Sequence, residues 1–398
     1  MAKRLIVCCD GTWNDADAKT HIHWIAEHCR TKDTQSLRQQ PGYFAGVGTR
    51  PGEILGGGGL GLGLSRNIRA AYRFVRDNWQ PGDELFVFGF SRGAYTARSL
   101  CGFLRKVGLL DDPRWVDLAY LWYRLSGVSS EHPQPSLLSR LLAPFIERRI
   151  AHQVDVTFLG VFDTVGALGV PFRTADLAAE FGVDKLLDEL HLGPLGTFVN
   201  LSEDEVRRPI EGFHDTELSP HVKNAYHALA IDESRGPFLP TLWTKVPPTS
   251  TVEQAWFAGV HGDVGGNYHA LPDDGHLAAV PLLWMMGKAA ALGLELKPGA
   301  MEELRGAADP LAPQHDSLSK GWEKLFEVSP LNAEQRPIGN AARRHVDPEG
   351  RRFPLVEANE TIHASVRLRL GKEVETHFED GRPAETKPYH PTNLPATS

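Results

Sequence analysis

Cysteine is scarce in this chain, with four in 398 residues: Cys8, Cys9, Cys29 and Cys101. They form no CxxC pair and no His/Cys ligand spacing, which argues against a disulfide framework and fits synthesis in a reducing compartment. Positive charge is also short. Lys and Arg number 42 against 50 Asp and Glu, a formal net charge of −8. Without a basic excess to neutralise phosphates, broad nucleic-acid binding is excluded, and an anionic membrane offers no global attraction. Long apolar runs are missing too. The first run covers only residues 5–9, too short for a signal-peptide core, and nothing approaches the ~20 apolar residues of a membrane span. The chain is therefore expected to be cytoplasmic as synthesised, with export left to a route that reads no N-terminal signal. No internal repeat is visible.

What is present is an ordinary globular composition, 41% hydrophobic and 23% charged, in a chain long enough for one large domain with insertions. Residues 4–9 read as a buried parallel strand ending in Asp10-Gly11-Thr12, and residues 42–48 as a second strand. The glycine-rich stretch 56–65 reads as a flexible loop, with a role in cradling a substrate phosphate as the alternative. It lacks the Gly-Lys-Ser/Thr ending of a P-loop. Ser65 then caps a helix in which Ile68, Ala71, Tyr72, Val75 and Trp79 recur at helical spacing. Residues 84–89 form the strongest strand pattern and turn sharply into the helical pattern AYTARSLCGFLRKVG. Residues 154–162 read as a strand ending at Asp163, HVKNAYHALAIDE as a helix, and 255–260 as a strand ending at His261-Gly262-Asp263.

This alternation predicts an α/β fold of the α/β-hydrolase type, with a mostly parallel doubly wound sheet and helical lid insertions. The expected organisation is a catalytic domain over 1–300, interrupted at about 111–150 and 170–220. A C-terminal extension over 301–398 would pack on the same domain.

Gly89-Phe90-Ser91-Arg92-Gly93 is a G-x-S-x-G pentapeptide between a strand and a helix, the context of a nucleophile elbow. A serine hydroxyl needs a histidine base held by a carboxylate, and in this fold the order along the chain is Ser, acid, His. Asp163 is the natural acid. His261, at a strand end before a glycine-rich loop, is the leading base. His227, inside the predicted helix, is the alternative, and His363 is the remaining candidate. An oxyanion hole would use the backbone N–H of Arg92 with that of Gly11 or Thr12. The Asp-Gly-Thr strand end also occurs in phosphatases of the haloacid-dehalogenase kind, but their first aspartate is replaced here by Cys8, which removes the nucleophile.

Trp115, Leu118, Leu121 and Trp122 share one helix face just after the elbow helix. They are expected to form a substrate lid and a peripheral membrane contact. No metal and no organic cofactor are expected. Two other readings are open: a catalytically silent binding module, and metal-assisted hydrolysis by Asp10, Asp163, His261 and Asp263.

The blocks LIVCCDGTWND, NIRAAYRFVRDNWQPGDELFVFGFSRGAYTARSL, FLGVFDTVGALG, NAYHALAIDESRGPFLPTLW and QAWFAGVHGDVGGNY resemble the uncharacterised α/β-hydrolase domain family. That family includes the phospholipase effectors of bacterial type VI secretion. The likeness runs in order over most of residues 4–290, with weaker echoes at IHASVRLRL and YHPTNLP. It implies a Ser-Asp-His triad and phospholipase A-type ester hydrolysis, a lipid or small ester substrate and a secretion-system partner. It carries Ser91 and Asp163 directly and leaves His261 and His227 both open as base.

Overall fold

This computed structural model describes residues 2–12, 14, 16–29, 38–48, 59–126, 137–165, 172–173, 209–210, 217–235, 238–268, 276–317, 336, 338, 345–346, 352–353, 359–378, 381–391 and 393–394. Its centre is a seven-stranded sheet built from β1 (Lys3–Cys9), β2 (Arg38–Phe44), β3 (Glu84–Phe90), β4 (Phe158–Phe162), β5 (Asn224–Ala230), β6 (Thr251–Phe257) and β8 (Glu360–Ile362). The order across the sheet is β8-β6-β5-β4-β3-β1-β2, and every pairing is parallel. A short strand β7 (Gln314–Asp316) pairs with β9 (Glu373–Phe378), which in turn pairs with β10 (Glu385–Pro388) outside the main sheet.

Both faces of the sheet are covered, so the strands read as continuous apolar runs rather than alternating ones. Leu5, Val7 and Cys9 pack on one side with α2 (Gly59–Asn78) and α3 (Arg92–Val107). Ile6 and Cys8 pack on the other with α1 (His21–His28) and α7 (His276–Ala291). The chain passes from β1 to β2 on one side and then returns to place β3 on the other. The loops after β1 and β3 therefore diverge around a crevice, where doubly wound sheets place their ligands.

Several local expectations are corrected. The stretch expected to be a helix around His227 is strand β5, wedged between β4 and β6. Its Ala-rich composition favours a helix, but residues 225–230 are all buried, and a short apolar run buried on both faces is decided by tertiary packing. The second strand starts earlier than expected, at Arg38, and carries Pro41. Its position at the sheet edge tolerates the missing N–H. The glycine-rich stretch is helical from Gly59, while residues 56–58 lie outside the described residues.

The lid face is also corrected. Trp115, Leu118, Leu121 and Trp122, in and just before α4 (Val116–Leu125), are 7%, 1%, 1% and 3% exposed. They sit in the same cluster as the α2 and α3 core residues. Arg149 stacks over Trp115 and Lys106 over Trp122. This face is shared core, covered at its rim by cations, and not a surface open to lipid. Most of the 170–220 insertion lies outside the described residues. No helix among the described residues is long and apolar enough to cross a membrane.

The elbow depends on two close backbone approaches. A Cβ at Gly89 would lie 2.5 Å from the Gly93 carbonyl oxygen, and one at Gly93 would lie 2.2 Å from that of Cys9 and 2.4 Å from that of Asp10. Backbone cannot yield as a side-chain tip can. Gly93→Ala is therefore expected to destabilise the protein by about 1–3 kcal/mol as α3 is pushed off β1. A urea-unfolding midpoint equal to that of the unchanged protein would contradict this packing argument.

Candidate active site

Ser91 follows β3 directly and sits at φ +55°. A non-glycine residue in that region is strained, and the glycines on either side allow the tight turn. The Ser91 N–H donates to the Phe162 carbonyl at 3.0 Å, which ties the turn to the end of β4. Asp163, the next residue on β4's side, also has a positive φ, +40°. Its backbone N–H donates to the Ala228 carbonyl at 2.7 Å, so both turns are pinned by neighbouring strand ends.

His261 opens a short helix, α6 (His261–Gly265), just past β6. Its Nδ1–H donates to Asp163 Oδ2 at 2.6 Å. The ring lies between Phe90 and Phe238, with centroids 4.7 and 4.9 Å away. Ser91 and His261 line one cavity with Thr12, Asn14, Arg92 and Tyr268. Burial pushes the His261 imidazole below its ordinary pKa, and the bond from Asp163 opposes that only in part. The ring is thus neutral near neutral pH, as a general base must be.

Asp163 is fully buried. Burial alone would raise its pKa, but the Arg336 guanidinium and the His261 ring outweigh it and hold the carboxyl far below the usual carboxylate range. Arg336 meets it through two nitrogens, Nη1 to Oδ1 at 2.5 Å and Nη2 to Oδ2 at 2.9 Å. The Ala230 N–H donates to Oδ1 at 3.0 Å. Beside this pair, Glu233 accepts the His261 backbone N–H at 3.2 Å and forms a buried ion pair with Arg235.

The other expected residues divide. His227 is buried in β5, where its Nε2 accepts the Thr164 N–H at 3.1 Å and its Nδ1 faces Gln254 Oε1 at 3.3 Å. Both nitrogens are occupied by structure, so it braces the loop after Asp163. His363 caps the short helix α9 (Ala364–Arg369) and stacks on Phe257. Gly11 drops out of the expected oxyanion donors because its N–H donates to Asp10 Oδ1 at 2.7 Å. Thr12 and Arg92 both line the cavity, and Thr12 Oγ1 is buried without a hydrogen-bond partner.

The four residues considered for metal-assisted hydrolysis do not converge. Among the described residues, no three His, Cys, Asp or Glu side chains are grouped to hold an ion. Asp10 is taken up by Thr20, Tyr43 and the Gly11 N–H. Asp263 is taken up by the His315 ring at 2.6 Å and by two backbone N–H groups.

Arg336, Glu233 and His315 were missed from sequence. Glu233 and Arg235 stand in NAYHALAIDESRG, one of the blocks that carry the family resemblance, so a signal was available. Arg336 stands in a Pro- and charge-rich stretch with no periodicity, and nothing local marks it.

A doubly wound all-parallel sheet with a strained serine at the switch-point crevice defines the class: this is an α/β-hydrolase-like protein. The chain belongs to the family described as T6SS phospholipase effector Tle1-like, catalytic domain, whose profile matches residues 3–288. A yeast relative, Uncharacterized protein YEL023C of Saccharomyces cerevisiae, is 28% identical over 187 residues. That match covers 46% of this chain and 22% of the yeast protein. A crystal structure of an uncharacterized protein from Pseudomonas aeruginosa aligns with a TM-score of 0.38 at 17% identity, covering 83% of this chain and 51% of that one.

Proposed function

We propose that this protein is a serine hydrolase of carboxylic esters, with a phospholipid or another lipid ester as substrate. It would act in a secretion-system context. One observation carries the reading: the strained Ser91 opens on the same cavity as the ring of the His261–Asp163 pair. In this reading Ser91 Oγ attacks the ester carbonyl carbon while His261 Nε2 takes its proton. Asp163 holds the Nδ1–H and stabilises the imidazolium that forms. The oxyanion is met by the backbone N–H groups of Arg92 and Thr12. The imidazolium returns its proton to the leaving alcohol, and a water activated by the same ring then releases the acyl group.

A fluorophosphonate probe tests this without knowledge of the natural substrate. Labelling is expected at Ser91, as located by peptide mass spectrometry. Because burial lowers the His261 pKa, the base stays neutral below the ordinary histidine value of about 6.5. The labelling rate should therefore hold from alkaline pH down past that value, and fall only as the ring finally takes a proton. An unlabelled Ser91 on folded protein would refute the proposal and favour a silent binding module.

A further inference from the structure

Arg336 lies beyond residue 288, where the family match ends, yet it is the most heavily bonded partner of the proposed triad acid. Its side chain is 1% exposed. Besides the fork onto Asp163, Nη1 donates to the Ala230 carbonyl at 2.8 Å and Nη2 to that of Phe238. Those carbonyls fix the plane of the guanidinium, so the fork has a single orientation. The Arg336 backbone is tied down in turn. Asn393 Nδ2 donates to its carbonyl at 3.1 Å and to that of Ile231 at 2.9 Å. Arg336 and Asn393, both from the C-terminal part of the chain, thus meet the end of β5 and bring one buried cation to one buried carboxylate.

We propose that Arg336 is a positioning residue for the reaction. Its fork presents Asp163 Oδ2 to His261, and its charge keeps the Asp163–His261 pair from holding a proton at working pH. The inference rests on the reading of Ser91, Asp163 and His261 as the reacting set.

Charged groups of both signs surround the pair. Arg336 opposes Asp163, and Arg235 opposes Glu233, which also accepts from the Ser317 hydroxyl. His227 is neutral, pushed down to about 3 by burial and by the charge of Arg98. Arg98 itself donates to the Thr241 carbonyl and lies over Trp243. Among the groups that act directly on Asp163 and His261, two guanidiniums, Arg336 and Arg235, oppose two carboxylates, Asp163 and Glu233. Removing the Arg336 charge leaves one uncompensated buried anion, and the cheapest compensation is a proton taken up by the coupled Asp163–His261 pair. Wherever that proton sits, the pair can no longer accept one from Ser91.

The experiment follows the pH dependence of fluorophosphonate labelling in Arg336→Met and Arg336→Lys of the full chain, with Ser91→Ala as control and thermal melts for folding. In Arg336→Met the acid limb should move up by about one pH unit, and the alkaline plateau should fall roughly 10²-fold through misplacement of the base. Arg336→Lys keeps the charge but not the fork, so its limb should stay in place while its plateau falls. A folded Arg336→Met protein with the original acid limb overturns the proposal. If that variant does not fold, Arg336→Lys labelling at the unchanged rate overturns it instead. Labelling that persists in Ser91→Ala is a separate failure, that of the parent reading.

Discussion

Ser91→Ala is expected to lower hydrolysis of phospholipids and p-nitrophenyl esters by roughly 10⁴- to 10⁶-fold, because it deletes the attacking atom and triad members act as a unit. Stability should barely change, and the local structure says why. The Ser91 hydroxyl makes no capping hydrogen bond to α3. The turn is held by backbone bonds instead, from Ser91 N–H to Phe162 and from the Ala94 N–H to the Ser91 carbonyl at 3.1 Å. Alanine meets the same strain at φ +55° and leaves no buried donor behind, so the change in unfolding free energy should stay within about 0.5 kcal/mol. A melt at the same temperature combined with lost turnover separates chemistry from folding. Turnover within tenfold of the unchanged protein, on the best substrate of the panel, would end the serine mechanism.

The parts of the site that were legible in sequence are those built by contiguous residues. Gly89 to Gly93 encodes a strand, a strained turn and a helix start within a few positions, because close backbone approach demands glycine there. Asp163 and His261 were legible as strand-end residues, since doubly wound sheets gather such ends at one edge. What failed depended on long-range packing. The run around His227 has helical composition, and only its place between β4 and β6 makes it a strand. The face of Trp115, Leu118, Leu121 and Trp122 has the periodicity of a lid and of a core helix alike. Only its burial against α2 and α3 decides between them. Arg336 reaches Asp163 across 173 positions of chain, from an extension expected only to pack on the same domain. Local pattern carries no information about such a contact.

The same contrast between position in the chain and position in the fold underlies the expected outcome for the two histidines. His261→Ala should cost about as much turnover as Ser91→Ala, and the double variant little more than either alone, because neither residue works without the other. His227→Ala should cost turnover only a few-fold. The His227 Nε2 lone pair already accepts the Thr164 N–H at 3.1 Å, so it has none left to receive a serine proton. Its Nδ1 side meets Gln254, whose own Oε1 also accepts the Trp243 N–H at 2.9 Å. Alanine there leaves the Thr164 N–H buried and unpaired, one residue past Asp163. That should lower unfolding free energy by about 1–3 kcal/mol, more once the vacated ring volume is included. Turnover and urea unfolding measured on both variants give the contrast: His261→Ala inactive, His227→Ala active and weakened. A folded His227→Ala protein without activity, beside an active His261→Ala, would transfer the role of base to β5 and overturn the assignment of the cavity.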